Sequence, residues 1–137
     1  MTSQAQNVLA QNIQADKNHA AMVVGYIQAM QFSTVHNENG DYLEDYELSD
    51  EARQAAVIAC SRFLEKHGND LEVVRGMFID YSYEKAGNDL FLTREGHGTG
   101  FWDRDLGHYS DVFTKYCESI NVCDPYLGDD NLIYMGE

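Results

Sequence analysis

The chain has 137 residues, 23 of them Asp or Glu against nine Lys or Arg, for a formal net charge of −14 at pH 7. A surface with that balance repels nucleic acid and anionic membranes at long range, which argues against direct attachment to either and favours basic partners. With 44% hydrophobic residues, nine Tyr, six Phe and one Trp, a single domain of this length buries a working core without metal or disulfide staples, so a wholly disordered chain is excluded.

Residues 1–17, MTSQAQNVLAQNIQADK, are rich in Gln, Asn and Ala and poor in large apolar side chains. They read as an N-terminal extension that frays or only lengthens the next helix, ahead of one domain at 18–137. From Asn18 the spacing of Met22, Val23, Tyr26, Ile27 and Met30 predicts a helix with one core-facing stripe. Gly25 within it costs about 1 kcal/mol relative to Ala, so it either weakens the helix or marks a close contact with another element.

Periodicity lapses after Val35, and Glu38 to Glu51 carries seven acidic residues and no Lys or Arg. This stretch reads as a surface loop anchored by Tyr42, Leu43, Tyr46 and Leu48. Its carboxylates are either a solvated connector or a binding strip whose interleaved tyrosines imitate the charge and stacking of a nucleic acid strand.

Ser49 is a predicted N-cap, with Asp50 and Glu51 at the positive end of the helix dipole. Ala52, Ala56, Ala59, Cys60, Phe63 and Leu64 form the stripe of a second helix, which Lys66, His67 and Gly68 are expected to end. A third helix is expected from Asn69 to Gly87 or Asn88, with Leu71, Val74, Met77, Phe78 and Tyr81 buried. Leu90–Leu92 and Gly100–Trp102 read as two short strands joined by REGHGTG, a first hairpin. Ser110 is expected to cap a further helix that turns Val112, Phe113, Tyr116, Cys117 and Ile120 inward. Tyr126, Leu127 and Leu132 to Met135, around a turn at Gly128 to Asn131, form the second hairpin. The expected fold class is α+β, with the N-terminal helices packed on a small antiparallel sheet of two hairpins and one helix between them.

Cys60, Cys117 and Cys123 form no CxxC pair and are odd in number, a pattern of reduced thiols in a cytoplasmic compartment. The start of the chain lacks the basic stretch and apolar run of a signal peptide, and no apolar segment nears the roughly 20 residues of a membrane span. A soluble, cytoplasmic protein without a membrane association is expected.

The densest group of chemically capable residues lies in AGNDLFLTREGHGTGFWDR, residues 86–104. Asp89, Arg94, His97, Asp103 and Arg104 are acids, bases and charge stabilisers, and a hairpin would set Arg94 against Asp103 as an ion pair. Arg94, His97 and Asp103 are the weak catalytic candidates; His97 and Trp102 are candidates for loop contacts, with Trp102 expected in the core. His97 and His108 lie eleven residues apart with Asp103 and Asp105 between them, but no HExxH, paired CxxC or Ca-loop pattern is present. The glycine loop lacks the Lys-Ser/Thr of a P-loop. No metal and no cofactor are expected.

The run AGNDLFLTREGHGTGFWDRD resembles the signature of a family of small bacteriophage and prophage proteins, AGxDFxLTRxGHGxGFWDR. YIQAMQFSTVHNENGDYLEDYELSDEA upstream and YLGDDNLIYM downstream resemble that family's helix with acidic loop and its closing hairpin. The chain departs from the pattern at Leu90, where an aromatic is frequent, and at Tyr109 and Ser110, where a Leu-Thr pair is common. The resemblance implies phage origin and shared architecture, without naming a reaction.

Together these features predict a phage-encoded, non-catalytic binding protein that inhibits or modulates a host nucleic-acid-handling or defence protein through an acidic surface. Its partner-binding residues are Glu38, Asp41, Glu44, Asp45, Glu47, Asp129 and Asp130, and its partner is a basic host protein. The alternatives are a small enzyme or ligand binder built on Arg94, His97 and Asp103, and a structural component of the virion.

Overall fold

The computed structural model describes residues 3–136. Among them are four α-helices: α1 (Ser3–Ser33), α2 (Asp50–Met77), α3 (Tyr83–Arg94) and α4 (His108–Glu118). One antiparallel hairpin follows, made of β1 (Asp124–Leu127) and β2 (Ile133–Gly136), so the fold is α+β with helix predominating. Short 3₁₀ turns at Leu43–Asp45 and Phe101–Asp103 interrupt the connections. The first two residues of the N-terminal stretch lie outside the described residues; from Ser3 onward it is helical and continuous with α1, and Gln4–Lys17 is exposed.

α1 buries Met22, Tyr26 and Met30 of the expected stripe, half-buries Val23 and Ile27, and also buries Ala29. It packs mainly on α3, and two glycines set how closely. A methyl group on Gly25 would overlap the Glu84 carbonyl of α3, and one on Gly87 would overlap the Met22 carbonyl of α1. The two backbones therefore meet directly at residues that have no Cβ.

α2 begins as expected: Ser49 Oγ accepts from the Ala52 N–H at 3.0 Å, with Asp50 and Glu51 in the first turn. It does not stop at Gly68. One helix covers the expected second helix and the start of the expected third, because Cys60, Phe63, Leu71 and Val74 fall on one unbroken stripe; the rest of the expected third helix is broken at Phe78–Ser82, so Phe78 and Tyr81 lie in a connection. His67 reinforces the junction, with its ring 5.4 to 5.8 Å from Tyr116, Phe63 and Phe113 and its Nδ1 3.0 Å from Asp70 Oδ2. Burial along this stripe outweighs the roughly 1 kcal/mol that a helical glycine costs. Met77 lies past the end of the stripe and is 57% exposed.

The first hairpin is absent. Leu90, Phe91 and Leu92 belong to α3, whose cap is Ser82, accepting from the Lys85 N–H at 3.1 Å. Tyr83, Ala86, Gly87, Leu90 and Phe91 lie on its buried side, and three consecutive apolar residues carry no period that separates strand from helix. Phe101 and Trp102 sit in a 3₁₀ turn. Phe101 enters the core and stacks on Phe63 at 5.6 Å, whereas Trp102 is 53% exposed, the reverse of the expected core role for Trp102.

α4 buries Phe113 and Cys117 and half-buries Val112 and Tyr116; Ile120, expected in the helix, lies just past its end and is also half-buried. Its N-cap is Gly107, not Ser110; Ser110 Oγ instead accepts from the Leu106 N–H at 2.9 Å. The closing hairpin has the expected turn, with Leu127 opposite Ile133 and Asp124 opposite Gly136. β2 also reaches back to the start of α2: Ser49 N–H donates to the Ile133 carbonyl at 2.9 Å and Ile133 N–H to the Glu47 carbonyl at 2.8 Å.

Gly25→Ala or Gly87→Ala is expected to force α1 and α3 apart and cost at least about 2 kcal/mol by overpacking. Gly76→Ala, in α2 with no heavy atom within 4 Å of the added carbon, should be neutral or gain up to about 1 kcal/mol. Urea denaturation of the three variants measures the contrast.

Candidate functional site

Two of the acidic segments of the chain meet in the fold. The connection from α1 to α2 is pinned by buried Leu43 and Leu48, which leaves Glu38, Asp41, Glu44, Asp45 and Glu47 exposed. Asn37 shapes its tip, donating from Nδ2 to Asp41 Oδ2 at 2.9 Å and accepting at Oδ1 from the N–H groups of Asn39 and Asp41. Tyr46 packs edge-on against His36 at 5.2 Å, while Tyr42 is 47% exposed.

Asp129 and Asp130 are exposed on the β1–β2 turn. Asp130 accepts from the Tyr134 hydroxyl at 2.6 Å and the Leu132 N–H at 3.1 Å. These bonds hold its carboxyl below the usual range and raise the Tyr134 phenol. The backbone bonds between Glu47–Ser49 and Ile133 tie this turn to the acidic connection. Two acidic segments far apart in sequence thus become neighbours, and neither contains Lys or Arg.

Arg94, His97 and Asp103 do not converge. Arg94 donates from Nε to the Asn121 carbonyl at 2.6 Å and from Nη1 to the Tyr26 hydroxyl at 3.1 Å. His97 is half-buried, its N–H bonded to the Leu92 carbonyl at 3.0 Å and its ring 6.3 Å from Phe91. Asp103 accepts from Thr99 Oγ1 at 3.1 Å and the Gly100 N–H at 2.9 Å, closing the glycine loop. The expected Arg94–Asp103 pair does not form: Arg94 bonds to α1 and to the segment after α4 and Asp103 to its own loop, because α3 runs through Arg94 where a hairpin was expected. Neither His97 nor Asp103 lines any of the principal clefts.

The segment's real ion pair joins Asp89 and Arg104, with Nε 2.9 Å from Oδ1. Asp89 is 1% exposed and also accepts from the Tyr81 hydroxyl at 2.7 Å. Burial raises its carboxyl, against the stabilising bonds from Tyr81 and Arg104. Burial beside this carboxylate also raises the Tyr81 phenol far above its ordinary range. The triad floors a cleft of about 600 Å³ with Phe78, Ile79 and Leu106 on its walls. Lys85 lines it too, donating from Nζ to the Asp80 carbonyl at 2.7 Å. On that floor Asp89 has two donors, and Arg104 has a carboxylate partner at Nε.

Tyr81 and Lys85 were not singled out as site residues from the sequence. The available signal was Asp89, a carboxylate among the buried positions of what is α3, legible only once that segment is read as a helix. Cys60, Cys117 and Cys123 are buried and unpaired, and burial pushes each thiol up to about 12. Thiolate chemistry at neutral pH is disfavoured at all three. Among the described residues, no three His, Cys, Asp or Glu side chains group to hold a metal, and no helix is long and apolar enough to cross a membrane.

Asp89→Asn is expected to cost about 1 to 3 kcal/mol at neutral pH, because an amide offers one acceptor oxygen where the carboxyl group meets both the Tyr81 hydroxyl and Arg104 Nε. Since the folded carboxyl has a raised pKa, it binds a proton more readily than the unfolded one. That contribution to stability is complete below the ordinary carboxylate pKa and lost as pH rises through the folded value. The wild type's advantage over the Asn variant should therefore grow as pH falls, measured by urea denaturation across pH. Compared with protein-family models, curated proteins and solved structures, the chain matches none.

Proposed function

We propose that this is a phage-encoded, non-catalytic binding protein that acts in the host cytoplasm on a basic nucleic-acid-handling or defence protein. The observation that carries the reading is the junction of the Glu38–Glu51 connection with the Asp129–Asp130 turn through Glu47, Ser49 and Ile133. It gathers exposed carboxylates from both segments into one region without an interleaved Lys or Arg.

Such a region attracts a basic groove at a distance and competes there with phosphates, whose charge it imitates. The exposed Tyr42 ring adds a flat surface among the carboxylates. Buried Leu43, Leu48 and Ile133 hold the backbone in place, so the charges are presented without ordering a loose loop at each encounter. The resemblance to phage proteins supports the proposed origin.

Immobilised protein should capture a basic host protein at low salt, release it as salt is raised and lose it to added duplex DNA. The combined change Glu44→Gln, Asp45→Asn, Glu47→Gln should abolish capture with the fold intact by circular dichroism. No capture at low salt, or full capture by the neutralised variant, refutes the reading.

A further inference from the structure

Between α2, α3 and the end of α4, the structure sets two arginines together. Two adjoining clefts of about 280 and 180 Å³ share Ala59, Arg62 and Arg94 as lining residues. Among the described residues, no Asp or Glu lines either cleft, in a chain with 23 of them. The three ion pairs among the described residues are His67–Asp70, Arg75–Glu72 and Arg104–Asp89, so Arg62 and Arg94 belong to none.

The two guanidiniums are held differently. Arg94, the last residue of α3, is half-buried and oriented by the Asn121 carbonyl and Tyr26 hydroxyl, both neutral acceptors. It makes no direct ion pair, although the neighbouring Glu95 carboxylate, which accepts from the Cys123 N–H at 2.8 Å, acts on its charge. Arg62 stands exposed on α2, one turn after Ile58 and Ala59. Tyr116 of α4 completes the site near both: burial raises its phenol, and Arg94 and Arg62 each act against that rise. Ile58 and Ile120 add apolar surface.

The geometry points to a binding site for a small phosphomonoester, with Arg62 and Arg94 gripping the phosphate and Tyr116, Ile58 and Ile120 contacting its organic group. Two positive charges match a phosphate that carries between one and two negative charges at neutral pH, where a carboxylate would satisfy only one of them. Planar guanidinium groups also fit the geometry of phosphate oxygens. The long-range negative field is screened over about 8 Å at physiological ionic strength, so contacts inside the clefts decide binding. This site is independent of the acidic-surface reading and could hold whether or not that reading does.

Calorimetric titration with phenyl phosphate, inorganic phosphate and benzyl alcohol tests it. Saturable binding of phenyl phosphate is expected, weaker binding of inorganic phosphate, and none of benzyl alcohol. Arg62→Gln should weaken phenyl phosphate about tenfold, the loss of one charged contact. Arg53→Gln, on the same helix but outside both clefts, should bind as wild type. Arg94→Lys keeps the charge and loses the planar fork, so it should also bind more weakly; circular dichroism checks its fold, and Arg62→Gln decides if that variant unfolds. Absence of saturable phenyl phosphate binding, or equal affinity in Arg62→Gln and wild type, overturns the assignment.

Discussion

The backbone contact between α1 and α3 governs the arrangement of the rest. Gly25 and Gly87 bring the two helices together with no side chain between them. That closeness places Tyr26 edge-on to Phe91 at 5.3 Å and within reach of Arg94. It also presents the remaining faces of α3 to other elements: Asp89 to Tyr81 and Arg104, and Leu90 to the region of α4, whose Cys117 thiol lies 4.0 Å from the Leu90 carbonyl. A bulkier residue at either glycine would shift all of these partners together, because interiors are packed too densely to absorb the displacement locally.

Charge in this molecule is sorted by environment. Most carboxylates stay in water, where they cost little and keep the net charge far from zero. The exception is Asp89, which is tolerated in the interior because a guanidinium and a phenol both donate to it; an unpaired buried charge would be far more costly. The few arginines then serve distinct purposes. Arg104 neutralises a buried acid, Arg75 lies over the Tyr83 ring at 4.7 Å, and Arg94 bonds the neutral oxygens of Tyr26 in α1 and Asn121 beyond α4. The hairpin organises the opposite charge, since its β2 strand joins the acidic connection to the turn that carries Asp129 and Asp130.

Parts of the candidate surfaces were legible in the residues alone. The acidic run at Glu38–Glu51 and its anchors Leu43 and Leu48 follow from composition, and the GDDN turn follows from its local chemistry. Their adjacency was not legible, because a parallel bridge between Leu48 and Ile133 spans 85 positions and leaves no local pattern. The same holds for Arg62 and Arg94, on different helices. Arg104 and Asp89 stand 15 residues apart, and no spacing rule links a helix residue to one beyond a glycine loop.

What the sequence determined by itself was the set of locally encoded features: the α1 stripe, the Ser49 cap, the inward face of α4 and the closing hairpin. Each arises from periodicity or from a side chain bonding to its own neighbouring backbone, which needs no distant partner. Only the tertiary structure decided that α2 passes through Gly68, that Leu90–Leu92 is helical, and that Phe101 is buried while Trp102 faces out. At those positions local preference is weak or contrary, and the outcome rests on packing: His67 and Phe63 against α4, and Gly87 against the backbone of α1. Burial of a continuous apolar stripe exceeds the small propensity differences that favoured a break or a strand.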